Sequence, residues 1–136
     1  MTKQEVRQFL NQVKDIIRAE RRILEQMQRL EARQLSITAQ LSDMPRGSSH
    51  FTTEDYAVEM DLLRRKLLEQ IRQEQEAYKE ILIVLNQLDG LEQEIMIMHY
   101  LMMMTWEEIA YKVEKSYRWV QKLHGRAIER IIIILS

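Results

Sequence analysis

Apolar residues recur along the first third of the chain at Val6, Phe9, Leu10, Val13, Ile16, Ile17, Ile23, Leu24, Met27, Leu30, Ile37 and Leu41. They return every three or four residues with no proline or glycine between them, which is the period of one face of an α-helix. The pattern predicts one helix over residues 2–41. Two core-like positions are polar, Glu20 and Gln34. Either they fix register against a partner helix, as polar groups in a heptad seam do, or they mark the edge of a broad stripe. From 42 to 53 the sequence SDMPRGSSHFTT gathers the only proline, Gly47 and three serines, which predicts a loop over 42–52. Thr53 is the expected cap of a second helix, with Glu54 and Asp55 in its first turn, where acids meet the positive end of the helix. The stripe then resumes through Met60, Leu63, Leu67, Ile71, Tyr78, Ile81, Leu85 and Leu88, predicting a helix over 53–88. At about 1.5 Å per residue the two helices span roughly 60 Å and 50 Å. Similar lengths joined by one loop argue for a long antiparallel, coiled-coil-like hairpin as a first domain, residues 1–88.

Asp89 and Gly90 break the second helix and open a second domain, residues 89–136. Here the pattern shortens. Thr105 stands three residues before Glu108, the spacing of a capping box, so a helix is expected to start there. It carries Ile109 and Val113 on its inner face, meets Glu114 and Lys115, which pack poorly, and gives way at Ser116 to a second capped helix. A short helix, a tight corner and a longer capped helix make a helix-turn-helix pattern. The terminal apolar run, residues 131–135, needs a covering surface, so the last helix is expected to continue past Arg130 and pack on the hairpin or on a second subunit.

Composition supports an all-α reading, since three glycines and one proline in 136 residues leave few turn or strand signals. The absence of cysteine excludes disulfides and thiolate metal sites and suits a cytoplasmic protein. The interleaved charges of MTKQEVRQFLNQVKD do not resemble a secretion signal, and no apolar run approaches the ~20 residues of a membrane span. The net charge of -1 announces no nucleic-acid partner, but the distribution says more than the sum. Residues 89–104 hold three acids and no base, whereas residues 115–130 hold Lys115, Arg118, Lys122, Arg126 and Arg130 against Glu129 alone. A basic helix inside a neutral chain is the footprint of a small DNA-reading element.

Residues 92–127 resemble region 4 of the sigma-70 family of RNA polymerase sigma factors. The likeness rests on Glu92, Ile95, Met96, Met98, Tyr100, Leu101 and Met104, then TWEEIA at 105–110, then Val113, Ser116, Val120, Leu123, Arg126 and Ala127. The whole layout also resembles small transcriptional regulators of Gram-positive phages and prophages. The family often has glycine at the position of Glu114, an aliphatic residue at Lys115, and glycine at Met103. The resemblance implies that Tyr117, Arg118, Gln121 and Lys122 approach bases. No counterpart of the promoter-melting region 2 is present, so a complete sigma factor is disfavoured.

Helical geometry arrives at the same face. With Val120, Leu123 and Ala127 turned inward, Arg118, Gln121, Lys122 and Gly125 face outward, with Tyr117 on one flank. Arginine or lysine can address guanine, and glutamine can pair with adenine, in the major groove. The alternative is an ordinary solvated face. Arg126 and Arg130 suit phosphate contacts rather than base reading. Trp119 is expected to pack at the inner edge, and Trp106 belongs to the first turn of the supporting helix. Gly125 in mid-helix costs ~1 kcal/mol relative to alanine, which close approach of DNA to the backbone, or a kink, would explain. Five methionines among residues 96–104 read as core filler rather than a metal box. His50, His99 and His124 lie far apart in sequence, and no phosphate loop or nucleophile motif occurs, so neither an enzyme, a cofactor nor a metal is expected. The expected function is sequence-specific binding of double-stranded DNA in transcription regulation, phage or prophage encoded, with RNA polymerase as a further partner. The chain is expected to act as a homo-oligomer, in the simplest case a dimer. The alternatives are a small-terminase-like packaging protein and a polymerase-binding protein that does not touch DNA.

Overall fold

The structure, a computed structural model, describes residues 1–41 and 52–136. Among these the chain is all-helical. Its elements are α1 (Lys3–Leu10), α2 (Gln12–Leu41), α3 (Thr53–Leu85), α4 (Gly90–Tyr100), α5 (Trp106–Lys112) and α6 (Tyr117–Leu135). The loop expected over 42–52 lies, apart from Thr52, outside the described residues. None of the described helices is long and apolar enough to cross a membrane.

The expected first helix is interrupted at Asn11. Thr2 caps α1 by accepting from the Glu5 amide at 3.2 Å. At Asn11 the backbone opens to ψ -1°, although its N–H still reaches the Arg7 carbonyl. Asparagine is a weak helix former whose side chain competes for backbone groups, so a slackened turn falls naturally there. The cap of α3 is Thr52 rather than Thr53. The Asp55 amide donates to the Thr52 hydroxyl at 3.1 Å and the Thr52 amide donates to the Asp55 carboxylate at 2.9 Å, a reciprocal pair. The hydrogen bond from the Thr52 backbone holds the Asp55 carboxyl below its ordinary pKa. At its other end α3 stops at Leu85, three residues short of the expected 88. The amides of Gln87 and Leu88 turn back only three residues, to Val84 and Leu85, tightening the chain before Gly90, whose φ of 55° suits glycine.

The middle of the α3 stripe also differs from expectation. Ile71 and Tyr78 are exposed, while Gln70 and Glu74 are half-buried and Ala77 is buried. The sheltered line is Met60, Leu63, Leu67, Gln70, Glu74, Ala77, Ile81, Val84 and Leu88, a strict alternation of threes and fours. Reading by hydrophobicity selects the larger apolar neighbour one residue further on, which stands about 100° around the helix. In α2 the sheltered line likewise includes Glu20 and Gln34, whose Oε1 atoms are closed off from solvent.

Contacts divide the chain into two compact units, residues 1–16 with 73–136, and residues 17–72. In the first, α6 packs against α4, α1 and α5. It buries Val120, Leu123, Ala127, Ile128 and Ile131; α1 buries Val6 and Leu10; α4 buries Ile95 and Met96; α5 buries Ile109 and Ala110. Each large aliphatic removed from water contributes about 1.5–3 kcal/mol, so this core fixes α6 firmly. The last helix runs to Leu135, as the terminal apolar run required. In the second unit, Leu30 and Met60 are the buried apolar residues among those described, and Leu24, Leu35, Val58, Leu62 and Leu68 stand 45–71% exposed. An open groove of about 420 Å³ lies there between Leu30 and Arg33 of α2 and Leu62, Leu63 and Lys66 of α3.

Candidate nucleic-acid interface

The segment from α4 to α6 is shaped by its caps and corners. Thr105 and Glu108 form the expected capping box: the Glu108 amide donates to the Thr105 hydroxyl at 3.1 Å and the Thr105 amide to the Glu108 carboxylate at 3.3 Å. Ser116 accepts from the Trp119 amide at 3.1 Å and starts α6. Between the two helices Glu114 takes φ 59°, and between α4 and α5 Met103 takes φ 60°. These are the positive-φ non-glycine residues among those described, and they are the two positions where the sequence resemblance places glycine. The left-handed geometry survives with side chains present, so both corners carry strain that a glycine would relieve.

Beneath α6 lies a polar and aromatic cluster that sequence distance concealed. The Tyr100 hydroxyl and His124 Nε2 share a hydrogen bond of 2.7 Å. His99 stacks on Trp106 with centroids 3.8 Å apart, and Trp106 lies 4.6 Å from the His124 ring. His99 Nδ1 is 2.8 Å from the Met104 carbonyl, which only accepts, so this nitrogen carries the proton. Burial pushes His124 down to about 4, helped by the nearby positive fields of His99 and Arg7. Burial pushes the Tyr100 phenol up to about 12. The pair is therefore neutral at pH 7 and acts as a spacer that locks α6 to α4. In the sequence the cluster is visible only as two aromatic residues and two histidines at unrelated spacings.

With Val120, Leu123, His124, Ala127 and Ile128 buried, the opposite face of α6 is free. Arg118, Lys122 and Arg126 are exposed at successive i, i+4 positions, Gln121 is half-buried beside them, and Tyr117 is 49% exposed in the first turn. All five candidates thus stand on one helix. Gly125 lies among them in regular helix, and a Cβ built there meets nothing within 4 Å. Two neighbours differ from expectation. Trp119 is exposed rather than packed at an inner edge, with Lys115 Nζ 5.3 Å from its ring centroid, a cation–π contact. Arg130 is held by acids: its Nε is 3.3 Å from Glu92 Oε2 and its Nη1 3.6 Å from Asp89. The Glu92 carboxylate is nearly buried, so Arg130 neutralises it and ties α6 to the start of α4. It is a structural cation, less free for phosphate than Arg126.

The α5 side of the segment has the opposite character. Tyr111 is 89% exposed, and it shares a shallow surface depression with Met104, Glu107, Glu108, Lys112 and Glu114. A polyanion is repelled from three carboxylates there and attracted to the cations of α6. No protein-family model, curated protein sequence or solved structure matches the chain.

Proposed function

We propose that residues 89–136 form a helix-turn-helix of the sigma region 4 type that binds double-stranded DNA sequence-specifically, in a phage or prophage regulator of transcription working with host RNA polymerase. The observation that carries the reading is the exposed row Arg118, Lys122 and Arg126 on a helix whose other face is locked into the core. In this reading α5 supports α6, which enters the major groove N-terminus first. Arg118, Gln121 and Lys122 read base edges, Tyr117 flanks them, and Arg126 meets phosphate. The long helices α2 and α3 form the antiparallel hairpin, whose exposed leucines suit a second copy, so that two modules address two half-sites. The proposal assigns the chain no catalytic role and places it in the cytoplasm.

Selection from a randomised duplex pool tests it directly. The expected result is enrichment of a defined site. Arg118→Ala and Lys122→Ala are each expected to weaken binding by about 1–3 kcal/mol and relax specificity at one base, and Arg126→Ala to lower the salt slope by about one without changing the preferred sequence. A pool that returns no enriched duplex at low salt overturns the reading. The exposed Tyr111 in its acidic rim favours the second reading, a protein-binding surface for polymerase, which that negative result would leave standing.

A further inference from the structure

Gly125 is unexplained by the fold around it. It sits in the middle of α6, where the helix runs unbroken from Tyr117 to Leu135. Its φ is not positive, since Gly90 is the positive-φ glycine among the described residues, so it does not use the backbone freedom that glycine alone has. A Cβ there would meet no atom of the chain within 4 Å, so packing does not require its absence either. Alanine would give a better helix at no steric cost. Neither the backbone conformation nor packing among the described residues calls for glycine here.

The surroundings name the occupant. Gly125 follows the half-buried Gln121 by four residues and the exposed Lys122 by three, precedes the exposed Glu129 by four, and shares the outward face with Arg118 and Arg126, so its missing side chain leaves a gap among polar neighbours. Successive cations on this face are about 6 Å apart along the axis, and duplex DNA offers a negative charge about every 1.7 Å of its own axis. We propose that this gap is where α6 comes closest to DNA: the edge of a base or its sugar seats against the helix backbone at Gly125, and this contact sets how deeply Arg118, Gln121 and Lys122 reach into the groove. The inference rests on the DNA-binding reading above and adds a contact point that carries no charge and no hydrogen-bonding side chain.

The test uses the full chain and a fluorescein-labelled duplex recovered by the selection experiment, comparing Gly125→Ala and Gly125→Leu with the parent by anisotropy, salt titration and thermal melting. The contact predicts opposite signs for stability and binding. The alanine variant should melt higher than the parent yet bind about tenfold more weakly, and the leucine variant more weakly still, with the salt slope unchanged because no charge has been removed. A merely structural glycine would move melting and affinity in the same direction. Equal affinity of the alanine variant and the parent overturns the contact while leaving DNA binding intact. A melting point lowered by alanine overturns it as well, by showing that the fold itself needs the glycine. If the parent binds no recovered duplex, the DNA-binding reading falls and takes the contact with it.

Discussion

Glu114 and Met103 hold backbone conformations that disfavour a side chain, with φ near 60° at both. The left-handed region costs an L-residue about 1–2 kcal/mol, and glycine returns part of that gain through its freer unfolded chain. Glu114→Gly is therefore expected to raise stability by about 0.5–1 kcal/mol in urea unfolding, and Glu114→Val to lower it by more than that, since a β-branched residue fits this region worst. Equal stability of the three proteins would mean that the corner relaxes freely. The second residue-scale consequence concerns His124. Its folded pKa of about 4 lies below the ordinary value of 6.5, so the unfolded chain takes up this proton first as pH falls. The stabilisation is complete above pH 6.5 and is lost progressively toward pH 4, amounting to about 3 kcal/mol. His124→Gln keeps a donor for Tyr100 and cannot titrate. Its melting temperature should decline less steeply across that window than the parent's, the remaining slope coming from His99, whose pKa burial also lowers, and from the carboxylate losses that both share below it. A parallel decline would place the acid sensitivity elsewhere.

At the scale of elements, the caps are where local chemistry decides most. Thr105 and Ser116 each satisfy a helix N-terminus through a side-chain oxygen, and α5 has only seven residues to hold it together. Replacing either by alanine is expected to cost about 1 kcal/mol. The two losses should be close to additive unless α5 and α6 fold as one unit, which chemical denaturation of the double variant would reveal as a shortfall. These caps were legible in the sequence because a capping box is a contact between residues three apart. So were the helices themselves, through their period, and the outward face of α6, through the positions of Val120, Leu123 and Ala127. Other features escaped because they depend on partners distant in the chain. Arg130 reads in the sequence as a cation suited to phosphate because Glu92 is distant in the chain, and His99 and His124 read as far apart although Trp106 lies against both rings. Asn11 and the early end of α3 escaped for a different reason, since a periodic stripe tells which way residues point and not where a hydrogen-bond ladder slackens.

At the scale of the molecule, the two units differ in how far each can stabilise itself. The unit of residues 1–16 and 73–136 holds most of the buried apolar residues described, whereas in residues 17–72 Leu30 and Met60 are the buried ones and six large aliphatics are exposed. Two helices of this kind, with a groove of about 420 Å³ beside Leu30, bury too little apolar surface to offset the entropy of ordering them. On the proposed function, a second copy would supply the missing cover without any new chemistry, and a two-fold dimer would present two DNA-reading helices at once. Sedimentation velocity should therefore find the chain dimeric at micromolar concentration. Leu62→Glu with Leu68→Glu places two charges on the exposed leucines of α3 and should return it to a monomer, with the far-ultraviolet helix signal of residues 17–72 reduced and the melting of the α4–α6 core nearly unchanged. On the proposed DNA-binding reading, in which a dimer gains from two half-sites, the same variant should bind a single half-site as the parent does and lose most of its advantage on a paired one. If the parent is a monomer at every concentration, the exposed leucines serve some other surface, and the proposed DNA contact rests on a single module.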